Sequence, residues 1–159
     1  MFRSIVLGIV AGVMAASTVY AQTPATQTPP AQQAAAAPAA RTFGSDAGMV
    51  LNFIKPDKTA DFEAIIAKLK EALQKSEKPE RKQQAASWKV FKSPDQAAGG
   101  NVLYVFMIDP SVKGADYTVS TILAEAFPQE VQTLYKQYAD AYAQGQNFVN
   151  LSLVSELGK

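Results

Sequence analysis

The stretch MVLNFIKPDKTADFEAIIAKLKEAL, residues 49–73, places an apolar run directly before an amphipathic one. Its first part belongs to the run from Gly48 to Lys55, whose valine, isoleucine and phenylalanine side chains are typical of a strand. Pro56 closes that run, and Thr59 is a plausible N-cap for the helix that follows. Apolar residues then recur at helical spacing: Phe62, Ile65, Ile66, Leu69, Leu73. The pattern predicts a strand and then a helix that ends near Ser76.

The rest of the chain continues this alternation. Strands are predicted at Ala86 to Lys92, Asn101 to Ile108 and Phe148 to Val154, and the charged residues 77–84 are predicted to be solvated. A second helix begins near Thr118 and is broken or restarted at Pro128. The order strand, helix, strand, strand, helix, strand predicts an α+β fold of the ferredoxin-like βαββαβ type. In that fold a four-stranded antiparallel sheet carries its helices on one face.

Both faces of the predicted sheet are apolar, although helices on one side cover only one face. Val50 and Ile54 alternate with Leu51 and Phe53 in the first strand, and residues 102–108 are apolar on both sides. Apolar surface of this extent marks an interaction site. We therefore expect a homodimer through the open sheet face, with cover by the loop 109–120 or by the linker as the competing arrangement. Which alternating set faces outward depends on the register of the strands.

The N-terminal part of the chain predicts export. Arg3 precedes an apolar run from Ile5 to Ala16, and Val19-Tyr20-Ala21 fits the cleavage pattern of a signal peptide at residues 1–21. An uncleaved membrane anchor is the alternative. Residues 22–47 are rich in Pro, Ala, Gln and Thr, which predicts a disordered linker. Residues 48–159 then form the ferredoxin-like domain of a periplasmic or secreted protein that leaves the membrane after cleavage.

The composition excludes several chemistries. The chain has no cysteine and no histidine, so it has no disulfide, no thiol nucleophile, no Ser-His-Asp triad and no histidine ligand for haem. Its 15 basic and 14 acidic residues form no basic stripe, which argues against nucleic-acid binding. The segment from Asp109 to Asp116 lacks the alternating oxygen ligands of a calcium loop. We expect no metal, no cofactor and no catalytic residue of these classes.

The order of elements, together with the stretch 49–73, resembles the dimeric α/β-barrel superfamily, which includes antibiotic-biosynthesis-monooxygenase-like domains. The resemblance covers roughly residues 48–157 and implies a dimer that packs sheet to sheet. Members include cofactor-free oxygenases and haem-degrading enzymes, but haem degradation requires a histidine that this chain lacks. An exported chain with a Pro/Ala/Gln linker is similar to an uncharacterised bacterial group of that superfamily.

Three residues are candidates for ligand binding. The resemblance implies that Asn52, on the first strand, and Trp88 occupy positions that oxygenases of the superfamily use in their pocket. Tyr104, on the third strand, is expected on the same pocket wall, beside a small apolar ligand. The alternative is a structural amide at a sheet edge or dimer seam and a tryptophan in the core.

Tyr135, Tyr138 and Tyr142 form a further aromatic stripe, spaced i, i+3 and i+7 along the second helix. The stripe either lines an aromatic pocket or packs in the core. Taken together, the sequence predicts a small-molecule-binding or structural domain. A cofactor-free monooxygenase-like enzyme and a tethered protein-interaction module are the alternatives.

Overall fold

Four antiparallel strands and four α-helices make up residues 40–158, the part of the chain that the computed structural model describes. The strands are β1 (Ala47–Ile54), β2 (Trp88–Gln96), β3 (Val102–Ile108) and β4 (Asn147–Leu151), and the helices are α1 (Thr59–Lys75), α2 (Pro79–Ser87), α3 (Val119–Ala126) and α4 (Val131–Ala141). The strands form one sheet in the order β2-β3-β1-β4, with every neighbouring pair antiparallel. The predicted α+β class and four-stranded antiparallel sheet are confirmed.

The predicted signal peptide and most of the predicted linker lie outside the described residues. Within residues 40–158, no helix has the length and apolar character needed to cross a membrane. Export, cleavage and linker disorder therefore stay predictions.

The hydrophobic core lies between one face of the sheet and the helices. Val50 and Ile54 on β1 and Phe106 on β3 are at most 1% exposed. The ring of Phe62 on α1 stacks on that of Phe106, with centroids 6.2 Å apart and planes 16° apart. Full burial of such a side chain contributes about 1.5–3 kcal/mol. The apolar residues that recur at helical spacing in residues 59–76 thus form the side of α1 that packs on the sheet.

The register determines which alternating set faces outward. Leu51 pairs with Val105 across β1 and β3, with Met49 opposite Met107 and Phe53 opposite Leu103. These side chains lie on the face opposite the core, and none of them is fully buried. We call this surface the open sheet face; it comprises Ala47, Met49, Leu51, Phe53, Lys89, Phe91, Leu103, Val105, Met107, Asn147, Val149, Leu151.

The prediction that residues 77–84 are solvated is wrong for Arg81 and Gln84, which are buried, whereas the other six residues are exposed. The segment also contributes to a helix that was not predicted, α2 at Pro79–Ser87. Pro79 suits the first helical turn, where its missing N–H is not needed. The buried side of α2 consists of Arg81, Gln84 and Ser87, which are 2%, 0% and 6% exposed. Hydrophobic periodicity does not detect a helix whose inward side chains are polar.

The last strand is shorter than predicted. Leu151 pairs with Ala47, the first residue of β1. Before Ala47 the chain turns toward the loop after β3, where the Ser111 N–H donates to the Asp46 carbonyl at 2.7 Å. Residues after Leu151 therefore have no strand partner in the described structure, and Leu153 is 74% exposed.

The packed domain begins before Gly48, so the predicted linker boundary at residue 47 lies too late. Phe43 is 2% exposed, and its ring meets those of Tyr117 and Phe148 at centroid distances of 5.1 and 5.4 Å. Gly48 makes room for it, since a Cβ there would lie 2.2 Å from the Phe43 ring. A single aromatic residue after a low-complexity stretch gives no periodic signal. Phe43 is buried by residues that are far from it in the sequence.

Candidate functional site

Asn52 is fully buried on the core face of β1, and its amide is fully paired. Its Nδ2 donates to the carbonyls of Val50 and Tyr104, each at 3.2 Å. Its Oδ1 accepts from the Tyr142 hydroxyl at 2.9 Å and from Gln146 Nε2 at 2.7 Å. A buried amide needs such partners, and with all of them present Asn52 has no donor free for a ligand.

The partners of Asn52 also bond to one another. The hydroxyls of Tyr138 and Tyr142 are 2.7 Å apart, and Gln146 Nε2 lies 2.8 Å from each. One arrangement satisfies every donor because hydroxyl hydrogens rotate freely. Gln146 donates to Asn52 and Tyr138, Tyr138 donates to Tyr142, and Tyr142 donates to Asn52. We call these four residues the amide–tyrosine network.

Both phenols of this network remain protonated at neutral pH. Burial raises the pKa of Tyr138 to about 12. Burial, followed by the neighbouring Tyr138 hydroxyl, raises the pKa of Tyr142 as well. Neutral phenols act as hydrogen-bond donors rather than as bases or nucleophiles. The network therefore ties α4 and the following loop to the centre of β1.

A cavity of about 310 Å³ lies above the network. We call it the tyrosine pocket, and its lining includes Arg41, Ser120, Tyr135, Tyr138, Tyr142, Gln146. Both interpretations of the aromatic stripe hold in part, because Tyr138 is buried whereas Tyr135 is 53% exposed. At its edge the Arg41 Nη1 donates to Gln146 Oε1, and the guanidinium lies 5.1 Å from the centroid of the Phe148 ring.

Trp88 occupies a different place. It begins β2 opposite Ile108, four residues along β3 from Tyr104, which corresponds to about 13 Å. Its ring packs against Phe106 and Tyr117, with centroids 5.5 and 5.4 Å away. It also forms one wall of an apolar groove of about 290 Å³ between α1 and β2. Its indole Nε1 is buried without a hydrogen-bond partner among the described residues.

Tyr104 lies beside Asn52 on β3, but its hydroxyl points to a charged group. It donates to Glu63 Oε1 at 2.6 Å, and Lys92 Nζ lies 2.9 Å from the same oxygen. The hydrogen bond from Tyr104, and then that from Lys92, lowers the pKa of Glu63. The structure thus places Asn52 and Tyr104 next to each other and Trp88 apart, so the three candidates do not line one common pocket.

Sequence reasoning missed two residues that organise this side of the molecule. Arg41 lies in the predicted linker, and Arg81 lies in the segment predicted to be solvated. Arg81 donates to both carboxylate oxygens of Glu125, at 3.2 and 3.0 Å, and to the Asp116 carbonyl at 2.5 Å. The hydrogen bond from Arg81 is the largest cause of the lowered pKa of Glu125. The one signal in the sequence was their position: Arg41 follows the charge-free low-complexity stretch, and Arg81 lies in the charged segment before the second predicted strand.

No group of three or more acidic, cysteine or histidine side chains within residues 40–158 is arranged to hold a metal ion. Comparisons with protein-family models, with curated proteins and with solved structures found no match. The function is therefore inferred from the geometry of the chain itself.

Proposed function

We propose that this chain is an exported structural module that self-associates, with the open sheet faces of two copies packed together. The observation that carries the proposal is the outward side of β1 and β3, where Leu51 faces Val105 between two further apolar pairs. None of these side chains is fully buried in the single chain. Contiguous apolar surface of this kind is typical of protein interfaces.

The size of the face supports a stable interface. Strands of about seven residues in a sheet four strands wide span about 24 Å by 19 Å, a flat footprint of about 450 Å². Side-chain relief raises the accessible area above that footprint. Two facing sheets have a summed footprint of about 900 Å², and this relief brings the buried area toward the lower end of the range of about 1,200–2,000 Å² that is usual for specific complexes.

The charge of the face favours a second copy as the occupant. Lys89 is its one charged side chain within residues 40–158, and it lies on the edge strand β2. The formal net charge of the whole chain is only +1, so two copies repel each other weakly. A second copy presents an identical apolar face, which an isologous twofold contact requires.

The proposal includes a finer description of the fold. The strand order β2-β3-β1-β4 with antiparallel pairing supports a ferredoxin-like arrangement. Relative to the two helices of that fold, α2 is an extra helix, and the second helix is divided into α3 and α4. A sheet-to-sheet pair of such domains corresponds to the dimeric α/β-barrel arrangement. The enzyme alternative receives less support, because Asn52 is fully paired and Trp88 lies apart from it.

Export is proposed on the sequence of residues 1–21. The chain is then expected to begin at Gln22 after cleavage. Intact-mass analysis of exported material tests this directly. Retention of Met1 in that material would contradict cleavage.

Sedimentation equilibrium tests the dimer. The chain is expressed with its own N-terminal residues so that processing follows its natural course. Val105→Asp places a charge at the centre of the open sheet face and is expected to convert dimer to monomer. Thr133→Asp is the matched control, because Thr133 has a similar shape and lies exposed on α4. A wild-type monomer at high concentration, or a Val105→Asp variant that remains dimeric, would overturn the proposal. Cover by residues 1–39 or by another protein would be recognised as a wild-type monomer.

A further inference from the structure

The geometry points to a ligand site in the tyrosine pocket, where the Arg41 guanidinium receives the carboxylate of a small aromatic acid. This inference does not depend on self-association, because the pocket lies beside α4 and the open sheet face lies on the other side of the sheet. It differs from the predicted Asn52–Trp88–Tyr104 site, since none of those three residues lines the pocket.

The backbone of Arg41 is held in place by the folded domain. Its N–H donates to Asp116 Oδ1 at 3.0 Å and lies 3.2 Å from Thr118 Oγ1. Its carbonyl accepts from the Tyr117 N–H at 2.8 Å. Because the chain is fixed on both sides of the Cα atom, the side chain starts from a defined position at the pocket.

The guanidinium is oriented but keeps donors available. Gln146 Oε1 accepts from Nη1, and the Phe148 ring supports the group from one side. Gln146 is itself fixed by its bonds to Asn52 and Tyr138. Within the described part of the chain, Arg41 forms no ion pair, so Nε and Nη2 remain able to bind a carboxylate in the planar, forked manner of arginine.

The surrounding charges favour an anion. None of the residues that line the pocket is acidic. The carboxylate of Asp116, which contacts the Arg41 backbone, is occupied by the N–H groups of Arg41 and Thr118. The floor consists of neutral phenols already bonded within the amide–tyrosine network. One positive charge on one wall matches a singly charged acid.

The shape and the apolar lining favour an aromatic ring. The cavity of about 310 Å³ is at the lower end of the range of about 300–1,000 Å³ for ligand pockets. Tyr135 presents a half-exposed ring at one side, and Val119 and Ala139 add apolar surface. A single-ring carboxylate places its charge at Arg41 and its ring against Tyr135.

The test is a titration of the ¹⁵N-labelled chain with benzoate, followed by backbone amide shifts. Saturable shifts are expected at Ser120, Gln144 and Gln146, which line the pocket. Benzamide has the same shape without the charge and is expected to bind at least tenfold more weakly. No saturable shift at about 10 mM benzoate would overturn the inference, since a site with a dissociation constant of about 1 mM, a binding free energy of about −4 kcal/mol, would be nearly saturated there. Shifts confined to the groove around Ala85 and Trp88 would overturn it as well.

Two variants assign the binding to the proposed groups. Arg41→Gln is expected to weaken benzoate binding at least tenfold. Lys136→Gln, which removes an exposed cation from the outer side of α4, is the matched control and should change it less than twofold.

If Arg41→Gln unfolds, Tyr135→Ala decides the matter, because Tyr135 lies outside the network. It should weaken benzoate and benzamide equally while the preference for benzoate persists. Unchanged benzoate affinity in a folded Arg41→Gln variant, or in Tyr135→Ala, would contradict the site.

Discussion

The two faces of the sheet consist of the same strands and nearly the same residue types, yet their surroundings are opposite. On the covered face, Val50, Ile54 and Phe106 are almost completely buried under the helices. On the open face, Leu51, Phe53 and Val105 keep part of their surface exposed. Apolar composition alone therefore does not determine burial, which depends on what the rest of the chain, or a second chain, places above each face.

Buried polar side chains with hydrogen-bond partners are also found on the covered side of the sheet. Asn52 and Gln84 are completely buried there with partners from distant parts of the chain. The open face has no equivalent buried polar group among residues 40–158. A surface without such directional contacts can repack against different partners, whereas the covered face is specific to one arrangement.

The largest expected effect separates the two faces through a matched pair of phenylalanines. Phe106→Ala empties a core position and should lower the free energy of unfolding by about 3–5 kcal/mol. Phe53→Ala on the open face should lower it by about 1 kcal/mol at low protein concentration and by more where the dimer is populated. Urea unfolding at two protein concentrations measures both. Equal losses at low concentration would show that the faces are not different in the single chain.

A second contrast concerns the polar contacts beneath the helices. Arg81 and Lys78 both pair with Glu125 at 3.0 Å, but the side chain of Arg81 is 2% exposed and that of Lys78 is 55% exposed. Arg81→Met leaves the buried Gln84 Oε1 without its donor, removes one of the two donors to the Asp116 carbonyl and removes a partner of Glu125. It should cost about 3 kcal/mol. Lys78→Met should cost less than about 1 kcal/mol. Thermal and urea unfolding measure the loss of unfolding free energy in the two variants. Similar losses would show that burial of the arginine does not strengthen its contribution.

Alkaline pH is expected to loosen the covered face. Below pH 10 the Tyr138 phenol is protonated in both states, so it adds no pH dependence. Above pH 10 the unfolded chain loses this proton, whereas the folded chain keeps it until about pH 12. The free energy of unfolding should therefore fall between these values, by up to roughly 2–3 kcal/mol from this group. Unfolding measured from pH 9 to pH 12 should show a shallower decline in Tyr138→Phe than in the wild type. Parallel curves would argue against a buried phenol.

The smallest effect compares two asparagines. Asn52→Leu deprives Tyr142 and Gln146 of an acceptor and should cost about 1–2 kcal/mol. Asn147 lies exposed on β4 opposite Leu51, on the open sheet face. Asn147→Leu should change the unfolding free energy of the monomer by less than about 0.5 kcal/mol. Chemical unfolding distinguishes the two, and a neutral Asn52→Leu would show that the network contributes little.

The sequence predicts the elements with strong periodicity closely. The pattern predicts the first strand at Gly48 to Lys55 and a first helix with Thr59 as its N-cap that ends near Ser76, and these bounds lie within one residue of β1 and α1. The N-cap itself is wrong, because Lys58 holds that position and Thr59 is the first residue of α1. Alternation and helical spacing are local signals, so they survive without knowledge of the fold. The same signals identified two apolar sheet faces but could not say which is covered.

The remaining features depend on contacts between distant positions. Asn52 meets Tyr142 and Gln146, which lie 90 and 94 residues further along the chain. Arg41 meets Asp116 across 75 residues. The separation of Trp88 from Tyr104 follows from the register of β2 against β3. A single sequence contains no periodic signal for any of these, and so the candidate site could be named only in part.

The most direct test of the central claim is an isotope-filtered NMR experiment on a mixed sample of labelled and unlabelled chains. It detects only contacts between different copies. The account predicts intermolecular methyl contacts at Leu51, Leu103 and Val105, because packed sheets lie about 10 Å apart and their side chains interdigitate. It predicts none at Leu123, which lies on the buried side of α3 in the core. The absence of intermolecular contacts from the open sheet face at concentrations where the chain is associated would contradict the account.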